Sequence, residues 1–418
     1  MFCTAPNCVT VRAFSVGLEG IAELPLHDGK VPPWLIKYMR RLGRAIIMYI
    51  IDEFGPDELV KRCADPFWFQ AFNNVIGMDW DSSGSTTVVL YVLKSIAPPQ
   101  NFRDLGLAVL GGKGADARAL PKELQLLSNS IDINILEKSS RLSAKIDSTA
   151  LQDGYELYIH GMLVSENKTW TVVQQGMNPE LKMARRYHLH GSKQVPIVDR
   201  DPHTGVACNY RDKVLNLVDE PSRQTQKTIL ELVADTSPRR LTEMVASINR
   251  SLRNVQSLER WLRSPVSSSY LHESQISDKV LLNPRFYRPV TNIRLIERIA
   301  RKLYELRPSS FDELLLIEGL GPETLRALAL VADIIYGYTP SFRDPVTHPI
   351  DPFVYAYAHG GKDGVPFPVN TQTMHRTIEF LESAIENSSL DNKLRRQALK
   401  RLSQYVRKIL SSTQHTIQ

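Results

Sequence analysis

Cysteine is scarce in this chain, and its spacing argues against a thiolate zinc site. The four cysteines among the 418 residues are Cys3, Cys8, Cys63 and Cys208, and no two of them form the CxxC pair that structural zinc usually requires. So few scattered thiols fit a reducing compartment. A long apolar run is also missing. The most apolar stretch, Ala45 to Ile51, is about a third of the roughly 20 residues needed to cross a bilayer. The N-terminus lacks the basic start, apolar run and small-residue cleavage site of a secretory signal, so the cytoplasm is the expected location. There is no internal repeat of fixed period, no HExxH pair for zinc and no complete GxxxxGK[ST] phosphate loop, which disfavours an ATPase.

What is present suffices for two or three domains, since 43% of the residues are hydrophobic and a chain of this length can bury sizeable cores. The net charge of +6 and a pI near 9.0 favour polyanionic partners, although an excess this small is common in soluble proteins. Apolar residues recur at three- and four-residue intervals from Pro33 to Phe54, which predicts a helix stopped at Gly55-Pro56. The aromatic block Asp65 to Phe72 either stacks bases or forms core, and core is the favoured reading because aromatics bury large areas. Thr86 to Leu93 is β-branched and apolar and predicts a buried strand, with a second strand over Leu105 to Leu110.

Alternating segments over Tyr155 to Val164 and Thr169 to Val173 flank Ser165-Glu166-Asn167-Lys168 and predict a β-hairpin. A second strand pair is expected between Gly205 and Val218 around Tyr210-Arg211-Asp212. Beyond Pro221 the period becomes helical, in Thr225 to Ala234, Arg239 to Leu262 and, after the Ser- and Pro-rich connector Ser264 to Pro289, Thr291 to Leu306, and again in Thr371 to Leu410 with a break at Asn387-Ser388-Ser389. The expected fold is therefore an α+β or α/β N-terminal domain with β-hairpins over residues 1–220. An all-α C-terminal domain over residues 221–418 follows it.

The most specific local signal is Phe311 to Ile317, a short helix with Ser309 or Ser310 to cap it, running into Glu318-Gly319-Leu320-Gly321-Pro322. Gly319 and Gly321 permit backbone angles that a Cβ forbids, Leu320 anchors the turn, and Pro322 opens the next helix where its missing N–H is harmless. Free amides at that helix N-terminus can hold a phosphate oxygen whatever the base. The pattern resembles the helix-hairpin-helix motif of DNA repair and recombination proteins. The resemblance implies a DNA partner, with RNA left open, and places Gly319, Leu320, Gly321, Thr324 and Arg326 at the nucleic acid. Glu318 and Glu323 beside the turn count against it. The distal basic run with Lys393, Arg395, Arg396, Lys400, Arg401, Arg407 and Lys408 adds charge that a solvated helix face explains equally well.

A dense polar constellation in the first half comprises Ser140 to Asp147, Gln152 to Tyr155, His160, Gln174-Gln175 and Arg185 to His190. Tyr158 and His160 are expected on one strand face, as are His188 and His190. Asp with His suits a hard divalent ion, and Lys or Arg beside it would neutralise charge on a cleaved phosphodiester. On this reading Lys145, Asp147, Asp153, His160 and His188 are catalytic, and Asp147, Asp153 and His160 hold Mg²⁺ or Mn²⁺. The chain is then a metal-dependent nuclease. A polar network that only holds the domain together explains the same residues. The loops Gly111-Gly112-Lys113-Gly114 and His359-Gly360-Gly361-Lys362-Asp363-Gly364 suit phosphate through Lys113 and Lys362, or are turns with solvated lysines.

Several segments together resemble a mostly archaeal family named only as a domain of unknown function, number seven-six-three. They are Glu23 to His27, Asp65 to Phe72, Gly111 to Gly114, Gln174 to Asn178, Ala184 to His188 and His359 to Gly364. The resemblance covers nearly the whole chain and implies a cytosolic, thermophile-associated protein, but it carries no activity to transfer. Met1 to Thr10 precedes the family's usual start. The expected function is DNA repair or processing by a nuclease. The alternatives are a non-catalytic DNA-structure-binding or scaffold protein and a nucleotide-dependent enzyme, with self-association or a repair-protein partner left open.

Overall fold

Alternation along the central strands sets the architecture. In β4 (Thr169–Asn178), Trp170 and Val172 join one hydrophobic cluster and Val173 joins another. The sheet is therefore covered on both faces. The computed structural model describes residues 31–78, 83–262, 279–280, 282–348 and 370–386. Five antiparallel strands lie in the order β1-β3-β4-β5-β6. They are β1 (Leu107–Lys113), β3 (Glu156–Ser165), β4, β5 (Met183–Ser192) and β6 (His203–Ala207). A short separate pair joins β2 (Leu151–Gln152) to β7 (Leu215–Asn216). With its surrounding helices the fold is α+β.

One face carries α1 (Pro33–Phe54), α2 (Pro56–Arg62), α3 (Pro66–Val75) and α4 (Gly84–Ile96), whose buried side chains Leu42, Leu59, Phe69 and Val92 pack with Ile159 and Leu163 of β3. The aromatic block is core, as expected: Asp65 caps α3, accepting from the Phe67 amide at 2.8 Å, and buries Phe69 and Phe72. The one-turn helix α5 (Phe102–Leu105) leads into β1, and the opposite face carries α6 (Ala115–Gln125), α7 (Asn134–Lys145) and the helices after residue 220. These are α8 (Arg223–Asp235), α9 (Pro238–Leu262), α10 (Ile293–Leu306), α11 (Phe311–Leu316) and α12 (Pro322–Ile334). One cluster, containing Leu136, Val172, Ile229, Leu252, Ile299 and Leu328, runs through all of them. The last helix among the described residues, α13 (Thr371–Glu386), brings Met374 and Ile378 to the α1 face.

Three expectations are corrected. Thr86 to Leu93 is not a strand but the middle of α4. Its buried residues Ser85, Thr86, Val89, Leu90, Val92, Leu93 and Ile96 follow a helical spacing, and a short apolar run does not distinguish the two. Gly205 to Val218 is not a hairpin: β6 pairs with β5 while β7 pairs with β2. The intervening segment is instead tied to Asp344, which accepts from the Asp212 amide at 3.0 Å. Tyr158 and His160 do not share a face, because a bulge between Leu157 and Ile159 shifts the register. The Ser165–Lys168 turn is as expected, with Lys168 at φ 63. Cys3, Cys8, Lys362 and the basic run from Lys393 lie outside the described residues.

β1 approaches β3 closely at Gly111, whose φ is +74 and whose added Cβ would stand 2.2 Å from the His160 carbonyl oxygen. Gly111→Ala should destabilise the fold by about 2–4 kcal/mol through left-handed strain and overpacking. The check is the urea unfolding midpoint, and an unchanged midpoint would contradict the β1–β3 register.

Candidate functional site

The polar constellation resolves onto the two faces of the sheet. On the α1–α4 face, Gln175 donates to the Tyr158 hydroxyl and to the Ser83 carbonyl (2.8 Å) and accepts from Thr86. His188 contacts the Cys63 carbonyl through Nδ1 at 2.9 Å and stands edge-on to Phe69. Burial, with the Arg186 charge beside it, pushes its pKa well below the ordinary value, so it is neutral. His190 shares that face, as expected, and reaches Thr171 at 3.0 Å. His188 is therefore separated by the sheet from His160 and Asp147.

The other face carries a continuous hydrogen-bonded chain. Ser140 and His160 Nε2 are 2.8 Å apart, and His160 Nδ1 is 2.8 Å from Gln174 Oε1. The Gln174 amide nitrogen donates to Asp147 and to the Ser143 carbonyl (3.1 Å). The other Asp147 oxygen meets His203 Nε2 at 2.6 Å, and His203 Nδ1 meets Asp201 at 2.6 Å. Polarity follows from the amide. Gln174 Oε1 can only accept, so His160 carries its proton on Nδ1 and Ser140 donates to Nε2. Burial lowers the His160 pKa, so the ring is neutral.

Asp147 sits on a π-helical turn, Ile146–Ala150, that continues α7, and its side chain is 0% exposed. Burial pushes its pKa up, opposed by His203. Burial alone would lower the His203 pKa, but the carboxylates of Asp147 and Asp201 reverse this and raise it to about 10. His203 is thus a buried imidazolium between two carboxylates. It was missed in the sequence reading. The available signal was Asp201-Pro202-His203, in which Asp201 also accepts from the His203 amide at 3.1 Å.

Asp153 belongs to a neighbouring cluster. It accepts from Arg185 at 2.9 Å, from the Tyr187 hydroxyl at 2.7 Å and from the Tyr155 amide at 3.1 Å. Arg185 also donates to Asp344 at 2.9 Å. Asp147, Asp153 and His160 thus each have protein partners. Among the described residues, no group of three or more His, Cys, Asp or Glu side chains is placed to hold a metal ion. The Gly111 loop turns its amides inward: Gly111 donates to Glu123 (2.7 Å) and Gly114 to the Tyr158 carbonyl (3.1 Å). Lys113 pairs opposite Ile159 on the sheet edge, its ammonium 5.6 Å from the Tyr158 ring.

The segment carrying Asp147 also fixes the Gly319–Gly321 turn. Lys145 donates to the Leu320 carbonyl at 2.6 Å, Arg141 to the Leu316 carbonyl at 3.4 Å and Gln152 to the Pro322 carbonyl at 2.8 Å. Burial, with Arg141 nearby, lowers the Lys145 pKa. α11 is capped by the Ser310 side chain, and Leu320 is buried while Glu318, Gly319 and Pro322 are exposed. Gly319 needs its glycine, with φ +89 and Ile299 2.9 Å from an added Cβ. Gly321 does not: its φ of −120 suits any residue, and a Cβ there meets nothing within 4 Å. Thr324 and Arg326 are each 1% exposed. Arg326 donates to Glu323 and to the carbonyls of Phe286 and Arg288, which makes it an internal strut.

Between this turn and the sheet lies a cleft of about 690 Å³, lined by Asp147, Asp153, Tyr155, Phe286 and Pro322 among others. With this geometry in hand, residues 20–369 match the family described as Protein of unknown function (DUF763). The chain belongs to that family. No curated protein and no solved structure matches the chain. No described helix of this DUF763 protein is long and apolar enough to cross a membrane.

Because folding raises the His203 pKa from 6.5 to about 10, its stabilising contribution is complete below about pH 6.5 and is lost as the pH rises through about 10. His203→Gln should therefore lower Tm most at pH 6–7, with the gap to wild type closing towards pH 10. A gap independent of pH would show that His203 is not charged in the folded protein.

Proposed function

We propose that this DUF763 protein binds the sugar-phosphate backbone of a nucleic-acid strand at the turn Glu318–Pro322, in DNA repair or processing. One observation carries the reading. An exposed glycine turn runs directly into the N-terminus of a 13-residue helix that no side chain caps. The first amides of such a helix have no intrahelical acceptor and carry the positive end of its dipole. The carbonyls of the same turn are taken up by ammonium groups, Leu320 by Lys145 at 2.6 Å and Glu318 by Lys302 at 2.9 Å. An approaching anion therefore meets N–H groups and cations rather than bare carbonyl oxygens. The Glu318 carboxylate opposes this, and Lys302 stands 3.8 Å from it to offset the charge. Contacts of this kind fix a strand without reading its sequence.

A second reading, a metal-dependent nuclease using Mg²⁺ or Mn²⁺, is favoured by the cleft that begins at Pro322 and is lined by both Asp147 and Asp153. An ion there would have to compete with His203 for Asp147 and with Arg185 for Asp153. Incubation of labelled single-stranded, duplex and branched DNA with each ion decides the matter. Products that require metal and are lost in Asp147→Asn support the nuclease. Binding without products leaves a DNA-structure-binding or scaffold protein.

The turn itself is tested with Gly321→Val, whose backbone angles a valine accepts and whose side chain would stand in open space over the helix N-terminus. Fluorescence anisotropy should show affinity falling roughly ten- to hundredfold, the weight of a hydrogen bond to a charged group. The loss should be alike for unrelated sequences, and the salt slope should be nearly unchanged because the blocked amides carry no net charge. Unchanged affinity in a folded variant would move the binding surface elsewhere.

A further inference from the structure

We propose that the cleft beside the turn holds one unstacked nucleotide of the gripped strand, its base directed towards Asn283. This rests on the backbone reading above and names what lies next to the bound phosphate. The cleft, at about 690 Å³, is in the size range of small-ligand sites. Pro322, the first residue of α12, forms part of its wall. A strand whose phosphate sits on the α12 amides therefore presents its adjoining sugar and base to the cleft.

The lining is mixed in charge. Lys213 and Arg288 line it beside Arg285, which is already paired with Asp212 at 2.8 Å. The carboxylates of Asp153, Glu156 and Glu180 line it too, and Asp153 is paired with Arg185 at 2.9 Å.

The interior has an apolar and a polar component. Phe286 and Tyr155 line the cleft, and Phe286 is held rigid by Tyr287 and Phe342, with ring centroids 4.7 and 5.2 Å away. The two residues are 2% and 5% exposed, so they give the cleft an apolar floor against which a base displaces water, not a stacking platform. Asn283, which also lines the cleft, is 4% exposed. Its Oδ1 accepts from the Phe286 amide at 3.2 Å, whereas its buried Nδ2 has no hydrogen-bond partner. Buried donors are rarely left unpaired. A base carries ring-nitrogen and carbonyl acceptors that would satisfy Nδ2, and a bare sugar-phosphate chain places no such group beyond its backbone.

The test compares the full chain's affinity for a single-stranded DNA oligonucleotide with that for an oligonucleotide of the same length made wholly of abasic units. Wild type should prefer the oligonucleotide with bases by roughly three- to tenfold, the weight of one hydrogen bond. Asn283→Leu should cut that preference several-fold and leave abasic affinity unchanged. Asn283→Asp keeps the acceptor for the Phe286 amide and removes the donor, so it gives the same readout if the leucine variant does not fold. Equal affinity of wild type for both oligonucleotides overturns the cleft assignment. The backbone reading then still stands if Gly321→Val weakens both. No binding of either oligonucleotide overturns both proposals.

Discussion

The arrangement depends on one buried carboxylate. Asp147 is 0% exposed and is held from two sides, by the His203 imidazolium and by the amide of Gln174. A charge taken this far from water is tolerated only when paired and hydrogen-bonded. Removing one partner from such a pair typically costs about 3–5 kcal/mol, because the other charge is left uncompensated. The pairing explains why the chain departs from α-helical geometry at Ile146–Ala150. The π-helical turn carries the carboxylate towards strands β4 and β6, where its two partners stand.

From that fixed point the neighbouring residues reach outward. Lys145, two residues before Asp147, holds the Leu320 carbonyl, and Gln152, five residues after it, holds the Pro322 carbonyl. The glycine turn is therefore positioned from both sides of the buried charge. Amides fixed by the fold in this way need no ordering at the moment of binding, which is the condition under which a weak contact becomes useful. The chain from Ser140 to Asp201 fixes the geometry behind the turn, and the amides in front of it supply the proposed contact.

Much of this was legible in the sequence, and the misses have physical causes. The helices at 33–54 and 293–306 and the β3–β4 hairpin carry strong periods and explicit stop signals, and all appear. The α4 segment did not read correctly, because a short β-branched apolar run suits either element. Asp147 and His160 were picked out by their proximity in sequence and do share one hydrogen-bonded chain. His188 was grouped with them, but strand alternation sends it to the other face. The pairing of His203 with Asp147 does not show in the sequence, because the two are 56 residues apart and only the fold brings them together. Gly319 and Gly321 look alike in sequence, yet only Gly319 has a positive φ. Residue type alone does not report which glycine of a pair bears the strain.

The most direct measurement is amide hydrogen exchange across Glu318 to Leu325, with and without a saturating oligonucleotide. If these amides hold a backbone phosphate, the exchange of Gly321 and Glu323 slows on binding while that of Thr324 and the rest of the buried α12 interior is unchanged. Binding that protects other surfaces and leaves these two amides exchanging as before would contradict the account.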